Sequence, residues 1–239
     1  MLRNIFIINK IKIDFLFQSG SKSNLPNFFD SKFKILLNSF DYEYFINKNL
    51  KKNIYKKKYA VFIDVNLTNH PDSFLLNYKN IDKEQYFTNL FLFFEYLKIN
   101  FNLEVKIAAH PSSDKNDFNS LISSNYKIYF NKTSYLIKNS NLVLTHHSTA
   151  LSFAILFNKP VLFLYDDNIK TSFKKTIYRS IVGQAFTLKS PLINLSKPYE
   201  LNNIYKKDIL LYKEFISNYL CGPNKNKRNI QTICDYLKL

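Results

Sequence analysis

The sequence predicts an α/β fold in which helices cover both faces of a parallel β-sheet. From about residue 58 onward, short apolar segments alternate with longer segments of helical periodicity. The apolar segments are almost continuously hydrophobic, which is typical of strands that are buried on both faces. The chain has 239 residues and is 46% hydrophobic, so it is long and apolar enough to form a substantial core.

Five segments are predicted strands, because each is short, apolar and bounded by polar or turn-forming residues. In chain order they cover residues 59–64, 103–109, 127–130, 142–145 and 161–164. His110-Pro111 ends the second of them, since proline disfavours helical geometry at the residue that precedes it.

The segments between and after these strands are predicted helices. Asp82 is a candidate N-cap for a long helix, whose aromatic and aliphatic residues recur at helical spacing. The predicted helices cover about 83–100, 117–123, 134–139, 148–157, 168–181, 201–219 and 226–238. Gly222-Pro223 separates the last two.

The first 57 residues differ from the rest of the chain. They contain a predicted helix beginning at Asp41 and predicted strands near 4–8, 11–17 and 33–37. These elements are too few for a complete doubly wound domain. We therefore predict an incomplete N-terminal α/β portion with a linker over 1–57, and a ligand-binding domain with C-terminal helices over 58–239.

The net charge of +16 is compatible with several kinds of partner. Nucleic acid is not predicted, because the basic residues are scattered and no helix concentrates arginine on one face. An anionic membrane surface or an acidic substrate suits the charge as well. The over-use of Lys, Asn, Ile, Phe and Tyr, which is typical of an AT-rich genome, is a further explanation.

The sequence predicts a cytoplasmic protein, with the inner-membrane surface left open as a site of peripheral attachment. Lys10, Lys12 and Asp14 interrupt the apolar N-terminus, which does not match a signal peptide. No apolar run approaches the ~18 residues of a spanning helix. Cys221 and Cys234 form no Cys-x-x-Cys pair, so reduced thiols are predicted.

All four histidines follow the ends of predicted strands, the edge at which open parallel sheets bind ligands. They are His70, His110, His146 and His147. A metal site is not predicted, because no His-x-x-x-His helix and no carboxylate cluster accompanies them. The residues predicted to line a cleft at this edge are Asp64, His70 and His146.

Two segments at this edge are candidates for binding phosphate. Residues 145–150 (THHSTA) join a strand to a helix, and His147 or Ser148 is the candidate N-cap. Helix-start N–H groups attract anions, and the hydroxyls of Ser148 and Thr149 would add hydrogen bonds. Simple helix capping by Ser148 is the alternative. At the other segment, 110–113, an imidazole is a candidate donor to a leaving phosphate.

These two segments carry a resemblance to a known family. The sequences IAAHPSS (107–113) and LTHHSTALSFAILFNKPVLFL (144–164) resemble the HP and S-S/T motifs of the C-terminal domain of GT-B glycosyltransferases. The similarity is greatest to bacterial sialyltransferase-like and capsular polysaccharide transferases. It covers about residues 59–164.

The resemblance implies a Rossmann-like domain that binds a nucleotide sugar. It also implies that His110 is catalytic, because it would stabilise charge on the departing phosphate. It assigns phosphate contacts to His110, Ser148 and Thr149, and Pro111 and His147 beside them are the further predicted residues of the donor phosphate site. It also implies that the nucleotide base lies near Thr133, against the loops that follow the strands. A nucleotide-sugar donor and a glycan acceptor are the implied substrates, with no metal or other cofactor.

The chain departs from the family at the general base. Sialyltransferase-like enzymes carry it in an acidic D/E-D/E-G motif of the N-terminal domain, and Gly20, Gly183 and Gly222 follow no acidic pair. The S-x-A…K-P pattern also occurs in UDP-sugar 2-epimerases and CDP-glycerol transferases. A metal-independent glycosyltransferase is therefore one hypothesis, with a CMP-sugar donor favoured and a capsule or lipooligosaccharide acceptor.

Two other hypotheses stay open. One is a catalytically silent nucleotide-binding remnant or partner subunit of a GT-B enzyme, and the other is a UDP-sugar 2-epimerase-like enzyme. An incomplete N-terminal portion would leave an apolar surface for a second copy or a partner chain.

Overall fold

The computed structural model describes residues 11–22, 29–47, 58–69, 81–113, 126–173, 176–223 and 225–237. The chain forms two compact units, which are described separately. The larger unit is Lys51–Tyr212, and the smaller unit combines Met1–Leu50 with Lys213–Leu239.

The smaller unit begins with a two-stranded parallel sheet. Its strands are β1 (Ile11–Ser19) and β2 (Phe29–Leu37), and helix α1 (Phe40–Asn47) follows them. The structure confirms the two strands and the helix that the sequence predicts in this region. The strand predicted near 4–8 lies outside the described residues.

A parallel sheet of six strands forms the centre of the larger unit. The strands are β3 (Tyr59–Ile63), β4 (Glu104–Ala108), β5 (Lys127–Tyr129), β6 (Leu142–Thr145), β7 (Val161–Tyr165) and β8 (Leu192–Asn194). They lie in the order β5-β4-β3-β6-β7-β8. This is a doubly wound, Rossmann-like order, and it confirms the predicted fold class.

The described helices that lie between these strands are α2 (Lys83–Phe101), α3 (Thr133–Asn139), α4 (Leu151–Leu156), α5 (Asp167–Ser172) and α6 (Ile177–Leu188). Helix α7 (Ile209–Phe215) follows β8 and spans the boundary between the two units. From β3 the chain adds β4 on one side of the sheet, and from β6 it adds β7 on the other side, so the two crossovers run in opposite directions across the sheet. Because crossovers between parallel strands are right-handed, these two directions put their helices on opposite faces of the sheet.

The five predicted strands are confirmed, each to within one residue. The central strands β3, β6 and β7 are almost entirely apolar because both faces of the sheet are covered there: Val61, Leu144 and Leu162 have no solvent exposure. Helix α2 also begins where it is predicted, since the Asp82 carboxylate accepts a hydrogen bond from the Gln85 N–H at 3.1 Å.

The region after β7 differs from the prediction of one helix over 168–181. Two helices, α5 and α6, replace it, and the buried side chain of Phe173 ends the first of them in a non-helical conformation. The short strand β8 then adds to the sheet edge, and the sequence does not predict it. Burial of Phe173 and pairing of β8 with β7 depend on tertiary contacts, which helical periodicity does not reveal. The helix predicted at 117–123 lies outside the described residues.

The C-terminal residues differ from the predicted domain division. Residues 213–239, which the sequence groups with the ligand-binding domain, belong to the smaller unit. Within that unit the Asn38 side chain donates to the Lys227 carbonyl at 3.0 Å and accepts from the Gly222 N–H at 3.0 Å. Loop polar groups make these contacts, so they leave no periodic pattern in the sequence.

The C-terminal helices are shorter than predicted. Asp208 accepts hydrogen bonds from the N–H groups of Leu210 and Leu211, so α7 begins at Ile209 rather than near residue 201. A π-helical segment, Ile216–Leu220, continues it, and α8 (Asn229–Leu237) is the final helix. No helix in the described part of the chain has the length and apolar character needed to cross a membrane.

Candidate functional site

A cavity lies at the carboxyl ends of β3 and β6, where the direction of the strand order reverses. Parallel α/β sheets bind ligands outside such a switch point. We call it the switch-point cavity, and its volume is about 360 Å³. The described residues that line it are Ile63, Asp64, Val65, Ala109, His110, Pro111, Thr133, His147, Ser148, Thr149 and Ala150.

Asp64 connects the ends of two neighbouring strands. It directly follows β3, and its Oδ2 atom accepts hydrogen bonds from the His110 N–H at 3.1 Å and the Ser113 hydroxyl at 2.9 Å. Its Oδ1 atom accepts from the Asn66 N–H at 2.9 Å. The carboxylate is 9% exposed. It lines the switch-point cavity, and these contacts also fix the loop that carries His110.

His110 is half-buried at the end of β4 and lines the switch-point cavity. Its Nδ1 atom lies 2.7 Å from the Ser112 hydroxyl, and the Ser112 N–H donates to the same nitrogen at 3.2 Å. Pro111 lies beside it at the rim and is exposed. The local turn therefore occupies one ring nitrogen of His110.

The segment after β6 faces the same cavity. His147 and Ser148 are half-buried and Thr149 is exposed. The Ser148 hydroxyl accepts a hydrogen bond from the Ala150 N–H at 3.2 Å, and the first helical bond runs from the Leu151 N–H to the Ser148 carbonyl. Hydroxyls and N–H groups of this turn are thus brought opposite His110.

The helix predicted over 148–157 is wrong at its start. Helix α4 begins at Leu151 and has six residues, because Ser148 bonds two residues ahead and residues 149–150 form a turn. Asn158, with a φ of 55°, ends the following turn. A helix this short has a weak dipole, so the turn and its hydroxyls would make the main contacts to an anion.

Thr133 is the first residue of α3 and completes the lining. The residue two positions earlier, Asn131, has a φ of 55° and turns the chain from β5 into the helix. Among the described residues that line the cavity, none is Lys or Arg, so the charge of +16 acts on this site only from a distance.

The structure contradicts the prediction that His146 lies in the cleft. The residue is fully buried, its Nδ1–H donates to the Leu164 carbonyl at 2.7 Å, and its Nε2 accepts from the Tyr86 hydroxyl at 2.8 Å. Burial lowers the pKa of His146 to about 4, although the bond to Leu164 acts in the opposite direction. His146 is a neutral core residue, and His70 lies outside the described residues.

Two residues that shape this region are absent from the sequence prediction. Tyr86 lies on α2, and burial, followed by the charges of Asp64 and Asp166, raises its pKa well above the usual value. Its spacing resembles that of the other core aromatics, so no sequence signal distinguishes it. Asn66 donates to the Ser112 hydroxyl at 3.2 Å. The Asp-x-Asn spacing at 64–66, directly after a strand, is typical of such turns.

No side-chain cluster suited to a metal ion is present in the described ranges. A group of three or more His, Cys, Asp or Glu side chains is required, and these ranges contain none. Among the cavity-lining residues that the structure describes, Asp64 is the only carboxylate. The described lining residues can therefore bind a ligand by hydrogen bonds from imidazole, hydroxyl and backbone N–H groups.

No protein-family model and no curated protein matches this chain significantly. Similar solved structures include UDP-GlcNAc 2-epimerase of Methanocaldococcus jannaschii in complex with UDP-GlcNAc and UDP, at 14% identity and a TM-score of 0.43. That match covers 83% of this chain and 49% of the epimerase. S. aureus MnaA with UDP matches at 15% identity and a TM-score of 0.43, over 86% of this chain and 55% of MnaA.

The glycosyltransferase of kitacinnamycin matches at 10% identity and a TM-score of 0.35, over 62% of this chain and 34% of that protein. This chain therefore spans between about a third and just over half of the length of these three proteins. At such identities and TM-scores, the likeness assigns no activity to this chain.

Proposed function

We propose that the larger unit is the nucleotide-sugar-binding domain of a GT-B type glycosyltransferase. The observation that carries this proposal is the placement of His110 and the Ser148-Thr149 turn around one cavity, at the switch point of a doubly wound sheet. These are the residues that the HP and S-S/T motif resemblance assigns to the donor phosphate.

The proposed reaction transfers a sugar without a metal. The acceptor hydroxyl attacks the anomeric carbon, the bond from that carbon to the phosphate oxygen breaks, and the nucleotide leaves with the bonding electrons. His110, the hydroxyls of Ser148 and Thr149 and the turn N–H groups would donate hydrogen bonds to the departing phosphate. Donors held in place before the reaction stabilise developing charge with little reorganisation.

We propose that the base that removes the acceptor proton comes from outside the described lining of the switch-point cavity. Asp64 is the only carboxylate among the described lining residues, and its oxygens already accept three hydrogen bonds. The same observation disfavours the epimerase hypothesis, which requires several carboxylates in the cleft. The silent nucleotide-binding module is the second candidate function. A measurement of sugar transfer distinguishes it from the enzyme.

The donor and acceptor classes of this proposal are taken from the family resemblance. The donor is a CMP-sugar, and the acceptor is a bacterial capsule or lipooligosaccharide glycan. The net charge of +16 suits work at an anionic inner-membrane surface. A second copy or a partner chain would supply the elements of a complete doubly wound domain that an incomplete N-terminal portion lacks.

We expect the purified chain to bind one pyrimidine nucleotide selectively in a calorimetric titration against CMP, CDP, UDP and ADP. His110→Ala and Ser148→Ala should each weaken that binding about tenfold, the equivalent of one hydrogen bond to a charged group. Thr187→Ala is the matched control, because this exposed hydroxyl lies on α6 and bonds only within its helix.

Failure of a folded sample to bind any of the four nucleotides would contradict the proposal. Equal affinity of the wild type and both cavity variants would contradict it as well. Binding without sugar transfer to any acceptor would instead favour the silent module.

A further inference from the structure

We propose that Ser112 is a positioning residue that fixes the tautomer of His110. In this arrangement the neutral imidazole carries its proton on Nε2 and keeps Nδ1 as a hydrogen-bond acceptor. The donation from Nε2 to a nucleotide phosphate rests on the proposed function, whereas the tautomer itself does not.

The main-chain contact determines the role of Nδ1. The Ser112 N–H donates to His110 Nδ1 at 3.2 Å, and a backbone N–H cannot accept a hydrogen bond. The lone pair of Nδ1 must therefore face this N–H. A neutral imidazole has one donor and one acceptor nitrogen, so its proton is on Nε2.

The Ser112 hydroxyl acts in the same direction. Its Oγ atom lies 2.7 Å from His110 Nδ1 and 3.2 Å from Asn66 Nδ2, which is a donor. Since the Asn66 amide supplies a proton to Oγ, the hydroxyl proton is directed to Nδ1. Ser112 thus offers two donors to one ring nitrogen.

The Asp64 carboxylate anchors both ends of this series of hydrogen bonds. Asp64 accepts from the Asn66 N–H and from the His110 N–H, so the amide donor and the imidazole are set by the same group. Asn66 has a φ of 49°, a conformation that asparagine tolerates better than most residues. The geometry is therefore built into the loops and does not depend on a bound ligand.

His146 provides an internal contrast. Its Nδ1–H donates to a carbonyl and its Nε2 accepts from Tyr86, which is the opposite tautomer. The two histidines should thus give distinct nitrogen spectra in the same protein. His110, which lines the cavity, has Nε2 as its donor.

The test is nuclear magnetic resonance of the full chain labelled with ¹⁵N-histidine, at about pH 8, above the usual histidine pKa of ~6.5. The His110 signals are assigned from their loss in His110→Gln. We expect a protonated Nε2 and an unprotonated, hydrogen-bonded Nδ1. In Ser112→Ala the main-chain N–H remains, so the proton should stay on Nε2 while the Nδ1 signal moves part of the way toward that of an unbonded nitrogen; Ser112→Thr should restore it.

Thr187→Ala is the control, because this exposed hydroxyl bonds within α6 and contacts neither the ring nor Asp64. A proton on Nδ1 of His110 in the wild type would overturn the tautomer assignment, and a His110 spectrum unchanged by Ser112→Ala would overturn the role of the Ser112 hydroxyl. For the nucleotide selected by titration, Ser112→Ala should weaken binding about tenfold. If no nucleotide binds while the spectra match expectation, the proposed function fails and the tautomer assignment stands.

Discussion

Replacing Asp64 by alanine is expected to lower the free energy of unfolding by about 3 kcal/mol and to weaken nucleotide binding more than tenfold. The substitution removes the acceptor for the N–H groups of Asn66 and His110 and for the Ser113 hydroxyl. Hydrogen bonds to charged groups contribute roughly 1.5–3 kcal/mol each, and loss of the buried charge offsets part of that sum. Binding falls because the His110 loop loses its anchor. Chemical denaturation and calorimetry measure the two effects.

Asp82→Ala is the matched carboxylate control for this prediction. Asp82 caps α2 from an exposed position, so its loss should reduce stability by about 1 kcal/mol and leave nucleotide affinity unchanged. An Asp64→Ala protein with wild-type stability and wild-type affinity would contradict the role assigned to this carboxylate.

The free energy of unfolding should fall as the pH is lowered from about 6.5 toward 4, by up to about 3 kcal/mol. The pKa of His146 is about 4 in the folded protein, below the value of an unfolded chain. In this window the unfolded state binds a proton at His146 that the folded state does not. Stability from this residue is therefore complete above the unfolded pKa and is lost as the pH falls. Urea denaturation at a series of pH values measures the slope.

His146→Phe should remove most of this pH dependence between about 6.5 and 5, above the range in which most carboxylates titrate. The variant is less stable at neutral pH, because the Tyr86 hydroxyl and the Leu164 carbonyl lose their partner. His147→Gln is the matched neighbour and should keep most of the wild-type slope, because the charge of His147 is a smaller cause of the lowered pKa of His146 than burial is. A wild-type protein whose stability stays constant over this window would contradict the burial argument.

Local patterns in the sequence predict the sheet well. The strand β3 is identifiable because both of its faces are buried, which makes the whole segment from Tyr59 to Ile63 apolar. The start of α2 is identifiable because an N-cap aspartate acts on a residue three positions away. Such features depend on near neighbours in the chain, and a single sequence contains that information.

Features that depend on residues far apart in the sequence are harder to predict from the sequence. His146 and His147 are adjacent in the sequence, yet one is a core residue and the other lines the cavity. The partner that makes the difference, Tyr86, is sixty positions away. Similarly, the start of α4 depends on whether Ser148 bonds two or three residues ahead, and both patterns suit the same sequence.

Asparagine provides a further example. Its abundance is typical of an AT-rich genome, which gives no reason to assign a role to any one copy. Among the described non-glycine residues with positive φ, five of six are asparagine: Asn66, Asn102, Asn131, Asn158 and Asn203, the other being Lys189. In a chain with three glycines, asparagine takes the left-handed positions that glycine usually occupies.

The central claim is that the switch-point cavity holds the phosphate of a nucleotide. A crystal structure of the full chain with the nucleotide selected by titration tests it most directly. We predict phosphate oxygens within hydrogen-bonding distance of His110 Nε2 and of the Ser148 or Thr149 hydroxyl. A nucleotide bound with its phosphate away from both segments would contradict the account.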